Sequence, residues 1–500
     1  MTHSFIPIRN ALISVSDKSG LAPLCRQLHS WGVRLYSTGG TAKHIESMGI
    51  PVTLVEELTR TPEMFDGRVK TLNPNIFGGI LARRDSEEDL KQVETFKLVL
   101  FDLVVVNLYP FQEHVGKSME QQTPFVDIGG PALIRAAAKN HLWVTVLSDP
   151  SDYPSFLTAA GLQRGVDLEF RKEMARKSFY RVSQYDWSIF NEWERPFFPK
   201  KLDLSQQTSL RYGENPHQKA VWCGTPNWRL LQGKELSYNN LLDSEAAVQL
   251  TSDFSEGVLA IIKHGNPCGV AWGTENPLEL FAKAFETDSR SAFGGIVATN
   301  RPINKETAQL LSEVFLEVVI SPGFAPEALA LLSKKKNLRL IEWTQPGFHP
   351  FEVRVALGGW LVQETDSLGR SPSFELITVG PQLSEGDLKD MLAAWRICKH
   401  VRSNAIVLVK DQRTVGIGAG QVSRIDSLEI ALKKAASHCS GAILASDAFF
   451  PFRDSIDRLK GLQIKAVIQP GGSQRDQEVI EACRELEIPL YLTGERHFRH

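Results

Sequence analysis

Two groups of side chains in this 500-residue sequence have types and spacings suited to chemistry. The first is Lys263-His264, which ends the apolar run Val258–Ile262 and precedes Gly265-Asn266-Pro267-Cys268. Histidine changes charge near neutral pH, so at a strand end it is a candidate general base. The lysine beside it is a candidate partner for developing negative charge. Adjacent strand residues point to opposite faces, so both reach one substrate only where the chain bends, and Gly265 permits a bend. The dipeptide alone decides nothing, since it recurs at Lys43-His44 and Lys399-His400. The second group is Lys70, Tyr109, Asp127 and Lys139: a cation, a phenol, a carboxylate and a second cation.

Cys268 has competing readings. Pro267-Cys268 echoes the P-C-x-x-C of zinc deaminases, but Ala271 stands where the second cysteine would, and no H-x-E lies nearby. A nucleophilic thiol would want a basic partner and partial exposure. A small residue packing the turn is the favoured reading. The six cysteines are scattered with no C-x-x-C pair, which argues against a disulfide framework and a structural zinc site. A reducing cytoplasm is the expected setting.

These side chains need a scaffold, and the periodicity supplies one. The chain is too long for one core. Its 42% hydrophobic and 23% charged content is that of a soluble globular chain. A net charge of −2, with Lys and Arg dispersed, argues against nucleic acid. The N-terminus lacks the layout of a signal peptide, and the apolar run around Leu103–Val106 is too short to span a bilayer. The first 60 residues read strand–helix–strand–helix–strand ("ALISVS", "LAPLCRQLHSWG", "VRLYS", "TAKHIESMG", "PVTLVE"). Two more strands, "FDLVVVNLY" and "WVTVLSD", with the helix "PALIRAAAKNH", complete an α/β domain with a parallel sheet over about residues 1–150. Residues 165–195 read as an amphipathic helix, and "RPFFPKKLDLSQQ" as a linker. Beyond it strands, helices and Gly-rich turns continue, with a second half of similar plan expected from about residue 350.

In a parallel sheet, ligands sit beyond the carboxyl ends of the strands. There the first domain carries Ser14, Ser16, Asp17 and Lys18, then Ser37, Thr38, Gly39, Gly40 and Thr41, a hydroxyl-rich turn that suits one phosphate. Helix capping is the plain alternative for each turn. Arg68 and Lys70 alternate around Val69 in a loop where Thr71 adds a hydroxyl, Tyr109 ends a strand, and Asp127 precedes Gly129-Gly130 at a helix start, with Lys139 about two turns along.

The stretches "SVSDK", "STGGTAK", "GRVKTLNP", "NLYPF", "DIGG" and "RAAAKNH" resemble the inosine monophosphate cyclohydrolase domain of the bifunctional purine biosynthesis family. From residue 205, "RYGENPHQ", "IKHGNPCG", "SAFGGIVA", "SNAIVLV", "GIGAGQVSRID", "SDAFFPFRD", "QPGGS" and "RHFRH" resemble its aminoimidazole-carboxamide ribotide transformylase domain. The resemblance implies an α/β chain: a methylglyoxal-synthase-like cyclohydrolase domain over 1–198, then a transformylase region of two cytidine-deaminase-like halves over 199–500. It implies formyl transfer from 10-formyltetrahydrofolate to the ribotide amine, then ring closure with loss of water.

By motif, Lys263, His264 and Asn404 would be catalytic in formyl transfer, and Lys70, Tyr109, Asp127 and Lys139 in cyclisation. Ser14, Ser16, Asp17, Lys18, the Ser37–Thr41 turn, Arg68, Thr71, Asn107, Ile128, Gly129 and Gly130 would bind the cyclohydrolase substrate. Arg211, Tyr212, Asn240, Phe293, Arg496, Phe498 and His500 would bind the ribotide, and Ile425, Phe449, Asp454 and Ser473 the folate. No tightly bound cofactor, catalytic metal, nucleic acid or membrane is expected. The family implies a homodimer with transformylase sites between protomers. Asn73 and Phe77 depart from it, standing where members usually carry histidine. A ligand-sensing module is the alternative for the first domain, although such a module would not need Lys70, Tyr109, Asp127 and Lys139 together.

Overall fold

The computed structural model describes residues 5–65, 68–194, 197, 198, 202, 204, 207–344, 348–368, 374–378 and 380–500. Most of the linker stretch "RPFFPKKLDLSQQ" lies outside the described residues. The chain divides into two compact units, Met1–Phe197 and Phe198–His500.

The first unit is built on five parallel strands. In chain order they are Asn10–Ser14, Arg34–Ser37, Thr53–Leu54, Leu103–Val106 and Thr145–Leu147. Their order across the sheet is third, second, first, fourth, fifth. The direction of winding therefore reverses between Asn10–Ser14 and Leu103–Val106, and a crevice opens beyond their carboxyl ends. Leu103–Val106 is buried along its whole length, as a strand covered by helices on both faces must be. The expected strand "PVTLVE" is shorter than its sequence suggests: after Leu54 the chain turns into the helix Val55–Thr59. Glu56 and Glu57 in its first turn favour that helix start. The amphipathic tract forms one helix, Leu168–Glu194. It is tied to the sheet by the fully buried Arg171, which donates to the carbonyls of His141, Leu142 and Val166.

The second unit holds a twelve-stranded sheet made of two halves of one plan. Each half runs helix, two-stranded hairpin, helix, then three strands that continue the sheet. In the first half these are Tyr238–Ser252, Val258–Lys263 with Asn266–Trp272, Pro277–Thr287, and Gly295–Thr299, Leu316–Ser321 and Arg339–Glu342. In the second they are Glu385–Lys399, Ile406–Lys410 with Arg413–Gly418, Arg424–Ala435, and Ile443–Ser446, Ala466–Gln469 and Leu490–Leu492. The halves join through the second strands of the two hairpins at Ala271 and Arg413. Thr414 reinforces the joint, accepting from Val270 N at 2.9 Å. Helices Tyr238–Ser252 and Glu385–Lys399 pack on one face in a single shared core, while the opposite face carries a separate core for each half. Among the described residues no helix is long and apolar enough to cross a membrane.

The C-terminal ends of these two helices meet. His400 is buried and its Nε2 lies 2.6 Å from Asp253 Oδ2, which also accepts from Lys399 Nζ at 2.9 Å. Burial, with Asp253 opposing it and Lys399 and Arg499 adding to it, holds the His400 imidazole down to about 4. A histidine whose folded value lies below its unfolded value of 6.5 takes up its proton more readily unfolded. Its contribution to stability is complete above about pH 6.5 and is lost as pH falls towards 4. Denaturant titrations across that window are expected to lose up to about 1.4 kcal/mol per pH unit through this group. His400→Gln should flatten that part of the profile; an unchanged slope would show that His400 is not responsible.

Candidate functional sites

In the first unit several of the polar groups named from sequence touch one another at the carboxyl ends of the strands. Asn107, just past Leu103–Val106, accepts from Ser16 N at 2.6 Å and Asp17 N at 3.0 Å and donates to Asp17 O at 2.6 Å. It thereby fixes the loop after the first strand against the fourth. Ser14 Oγ lies 3.3 Å from Thr38 Oγ1, and Thr41 Oγ1 bonds both N and O of Val15. The helix Gly39–Glu46 starts without a side-chain cap, because the Thr38 hydroxyl faces Ser14 instead. Capping therefore does not explain these hydroxyls. The helix at Leu21 also starts without a side-chain cap.

Three close approaches bring the remaining segments together. A Cβ placed on Gly39 would lie 3.4 Å from Lys70 Nζ, and one on Gly129 would lie 3.3 Å from Thr71 Oγ1. A Cβ on Gly130 would lie 2.3 Å from Asp127 Oδ2 and would displace that carboxylate. Asp127 accepts from Gly130 N at 2.8 Å, and its own N–H donates to Tyr185 Oη at 2.7 Å. Burial pushes the Asp127 carboxyl above the usual range, against the backbone bonds from Gly130 and Tyr109 that lower it. A half-buried carboxylate with raised proton affinity is suited to accepting a proton. Lys70 pairs with Glu63 at 3.3 Å. Tyr109 is exposed beside the site, as are Arg68 and Ile128.

Lys139 is placed differently. It is the last residue of the helix Gly129–Lys139, about 15 Å of helix rise from the Gly129 end. There it lines a separate cavity of about 490 Å³ with Phe77, Arg135, His141 and Phe179. Within one protomer Lys139 does not join Lys70 and Asp127. Asn73, the other departure noted from sequence, caps the helix Pro74–Leu81 by accepting from Asn75 N.

In the second unit Lys263-His264 sits on a hairpin turn. Lys263 pairs with Asn266, leaving His264 (φ 52°) and Gly265 (φ 71°) as the two turn residues. Two consecutive left-handed residues are the hallmark of the tight hairpin turn whose twist matches its strands. The expected Gly-Asn-Pro turn is thus shifted: the bend is His264-Gly265, and Asn266 already starts the returning strand. The turn frees His264 from strand alternation, and its side chain is exposed. Lys263 Nζ donates to Phe293 O at 2.6 Å, joining two of the named residues. Cys268 is half-buried and burial pushes its thiol up to about 11, which suits packing rather than nucleophilic attack.

Asn240 is buried in a capping box with Ser237 at the start of its helix and donates to Glu317 Oε2 at 2.7 Å. Arg211 lies over the Tyr212 ring at 5.3 Å in a loop closed by Gly213 N to Gln218 O. A second cluster surrounds a cavity of about 390 Å³ lined by Asn404, Arg424, Ile425, Phe449, Phe452, Asp454 and Phe498, among others. Asn404 is held by Arg424 Nη2 on its Oδ1 at 2.8 Å and donates to the carbonyls of Gln421 and Val422. Arg424 in turn pairs with buried Asp447. In the segment "SDAFFPFRD" Phe450 is fully buried while Phe452 is exposed. Ser473 does not line this cavity; it accepts from Arg475 N, and Arg475 stacks over Phe452 at 4.9 Å.

The C-terminal segment is tied down rather than frayed. His497 N donates to Asp447 O, Ser403 N to Arg499 O, and Arg354 Nη1 to His500 O at 2.8 Å. Arg496 lies over the Phe498 ring. Sequence reading did not single out Asp243, Glu317, Arg424 or Asp447; their signal is only that the first three each bond a named residue and Asp447 holds Arg424. Among the described residues no group of three or more His, Cys, Asp or Glu side chains is placed to hold a metal ion.

Comparison with known proteins agrees with this layout. Residues 20–132 match the MGS-like domain, and residues 137–434 match the AICARFT/IMPCHase bienzyme family. A curated relative named "Bifunctional purine biosynthesis protein PurH" from Listeria monocytogenes serotype 4b (strain F2365) is 45% identical over 511 residues, covering 99% of this chain and all of the relative. Relatives of the same name from Rhodospirillum rubrum and Rippkaea orientalis are 47% and 46% identical, covering 100% and 98% of this chain and all of each relative. The chain belongs to the AICARFT/IMPCHase bienzyme family and is a bifunctional enzyme of purine biosynthesis, an aminoimidazole-carboxamide ribotide formyltransferase and inosine monophosphate cyclohydrolase.

Proposed function

We propose that the two activities reside in separate units, cyclisation in residues 1–198 and formyl transfer in residues 199–500. In formyl transfer the ribotide amine is conjugated with its ring and is a weak nucleophile. His264 takes its proton as the nitrogen attacks the formyl carbon of 10-formyltetrahydrofolate, and the carbon–N10 bond then breaks. Lys263 and Asn404 stabilise and orient the formyl oxygen. Arg211, Tyr212, Asn240, Phe293, Arg496, Phe498 and His500 hold the ribotide. Ile425, Phe449, Asp454 and Ser473 border the folate, which is a cosubstrate rather than a bound cofactor.

In cyclisation the carboxamide nitrogen attacks the formyl carbon. Asp127 takes the nitrogen's proton, Lys70 meets the oxyanion, and water leaves. Tyr109 orients the reacting groups or relays protons; Lys139, at the far end of its helix, does not reach them within one protomer. The hydroxyl-rich turns bind the ribose phosphate against the open N-terminus of helix Gly39–Glu46. The observation that carries this reading is the approach of Lys70 to Gly39 and of Thr71 to Gly129 beside Asp127 at the winding reversal.

The protein acts as a homodimer whose transformylase sites are completed by the second copy. In support, His264 is exposed and is not part of the Asn404 cavity. The hairpin strands Phe351–Ala356 and Gly359–Glu364 also present exposed Val355, Trp360 and Leu361. The six free thiols suit a reducing cytoplasm. Purified protein given ribotide and 10-formyltetrahydrofolate, without added metal, should form inosine monophosphate with transient formyl ribotide. Absence of the formylated intermediate would overturn the reading.

A further inference from the structure

We infer that Asp243 is the positioning residue of formyl transfer, a carboxylate clamp that sets where the His264 turn stands. The inference rests on the reading of His264 as the base. Asp243 lies in the second turn of helix Tyr238–Ser252, and its two carboxylate oxygens accept the two backbone N–H groups of the hairpin turn. Oδ2 takes His264 N at 3.1 Å and Oδ1 takes Gly265 N at 2.6 Å. Each oxygen makes one charge-assisted bond, so both position and tilt of the turn are fixed from the helix. The turn is anchored on its flanks as well. Lys263 Nζ is held by Phe293 O at 2.6 Å, and Asn266 Oδ1 accepts from Arg402 N at 2.9 Å. Arg402 is two residues from Asn404, so the same fastening fixes the turn against the segment that carries Asn404.

The second half of the unit contains the same device without the histidine. Asp390, at the corresponding place in helix Glu385–Lys399, accepts from Gln412 N at 3.2 Å beneath the turn Asp411-Gln412, which also has two left-handed residues. Lys410 Nζ donates to Ser440 O as Lys263 does to Phe293 O. The repeat separates two effects: Asp390 reports what a clamp is worth to the fold, and Asp243 what it is worth to a turn carrying the base.

Asparagine at 243 keeps one acceptor and sets an NH2 against the other N–H, so one bond is lost and the turn swings. Small displacements of a reacting group cost rate steeply. Asp243→Asn is expected to lower kcat for formyl transfer about tenfold or more, with the ribotide KM within about threefold and cyclisation of preformed formyl ribotide unchanged. Its Tm should fall no further than that of Asp390→Asn, which should keep full kcat. Asp243→Glu, with both acceptors on a longer arm, should fall between wild type and Asp243→Asn, and it decides the matter if the asparagine variant does not fold. In a His264→Ala background, Asp243→Asn should lower the residual rate no further. A folded Asp243 variant with wild-type kcat overturns the inference, as does an equal loss in Asp390→Asn. If His264→Ala itself retains formyl transfer, the assignment of the base fails instead, and the two failures are distinguishable.

Discussion

Replacing His264 by alanine is expected to lower formyl transfer by about 10³-fold while leaving cyclisation of preformed formyl ribotide at the wild-type rate. A positioned general base is worth about 10² to 10⁴ in rate, and the upper part of that range applies where the nucleophile is a poorly basic amine. The turn geometry makes the test clean in one respect and demanding in another. The His264 side chain is exposed on a two-residue turn, so removing it opens no cavity. Its φ of 52°, however, lies in the left-handed region, which histidine and asparagine tolerate better than alanine. His264→Asn is therefore the companion variant, keeping the backbone preference while lacking a base. Both variants should lose formyl transfer alike with matched KM, and cyclisation should be untouched because Lys70 and Asp127 belong to the other compact unit. Parallel loss of both activities in folded protein would defeat the two-site reading.

Much of this was legible in the sequence, and what was missed has physical reasons. Alternating apolar runs and Gly-ended helices gave the parallel sheet of the first unit, because a buried strand must be apolar along its length. The hydroxyl and glycine turns could be placed at strand ends, but only the strand order shows that they flank the point where winding reverses. The family resemblance groups Lys139 with Asp127, about two turns along, whereas a three-turn helix carries it to the far end.

The second half of similar plan expected from about residue 350 cannot be read as a clear sequence repeat, because so little of it is shared. Asp243 and Asp390, Gly269 and Gly416, and Ala284 and Ala431 stand at one constant offset. Their reason is packing: a Cβ on Gly269 would lie 1.9 Å from Ala284 O, and one on Gly416 would lie 2.2 Å from Ala431 O. A helix crosses each hairpin so closely that only glycine fits, while residues elsewhere were free to diverge. His264 and Asp411 diverged at the very turn where chemistry is assigned. The resemblance implies an ordered C-terminus, but the partners that hold it, Asp447, Ser403 and Arg354, are all distant in sequence and were hidden.

Lys70→Ala is expected to do the reverse of His264→Ala: cyclisation falls about 10² to 10³-fold and formyl transfer stays intact. The carboxamide nitrogen is a feeble nucleophile, so the barrier is dominated by charge gathering on the formyl oxygen, and removing one preorganised donor to such an oxyanion costs that much rate. Lys70 Nζ approaches Gly39 in the Ser37–Thr41 turn, and its neighbour Thr71 approaches Gly129 beside Asp127. The structural cost should be small. Its partner Glu63 is about half exposed, and a bridge of that kind contributes at most about 1 kcal/mol. Lys70→Arg keeps the charge but sets a broader planar group against Gly39, so it should restore only part of the rate. With ribotide and excess 10-formyltetrahydrofolate, Lys70→Ala protein should accumulate formyl ribotide, read by chromatography. Adding His264→Ala protein to that stalled mixture should convert the accumulated intermediate to inosine monophosphate, since each variant retains the step the other lacks. If Lys70→Ala accumulated no intermediate, or cyclised at the wild-type rate, the oxyanion role of Lys70 would be wrong. The approach to Gly39 would then be a contact of the fold alone.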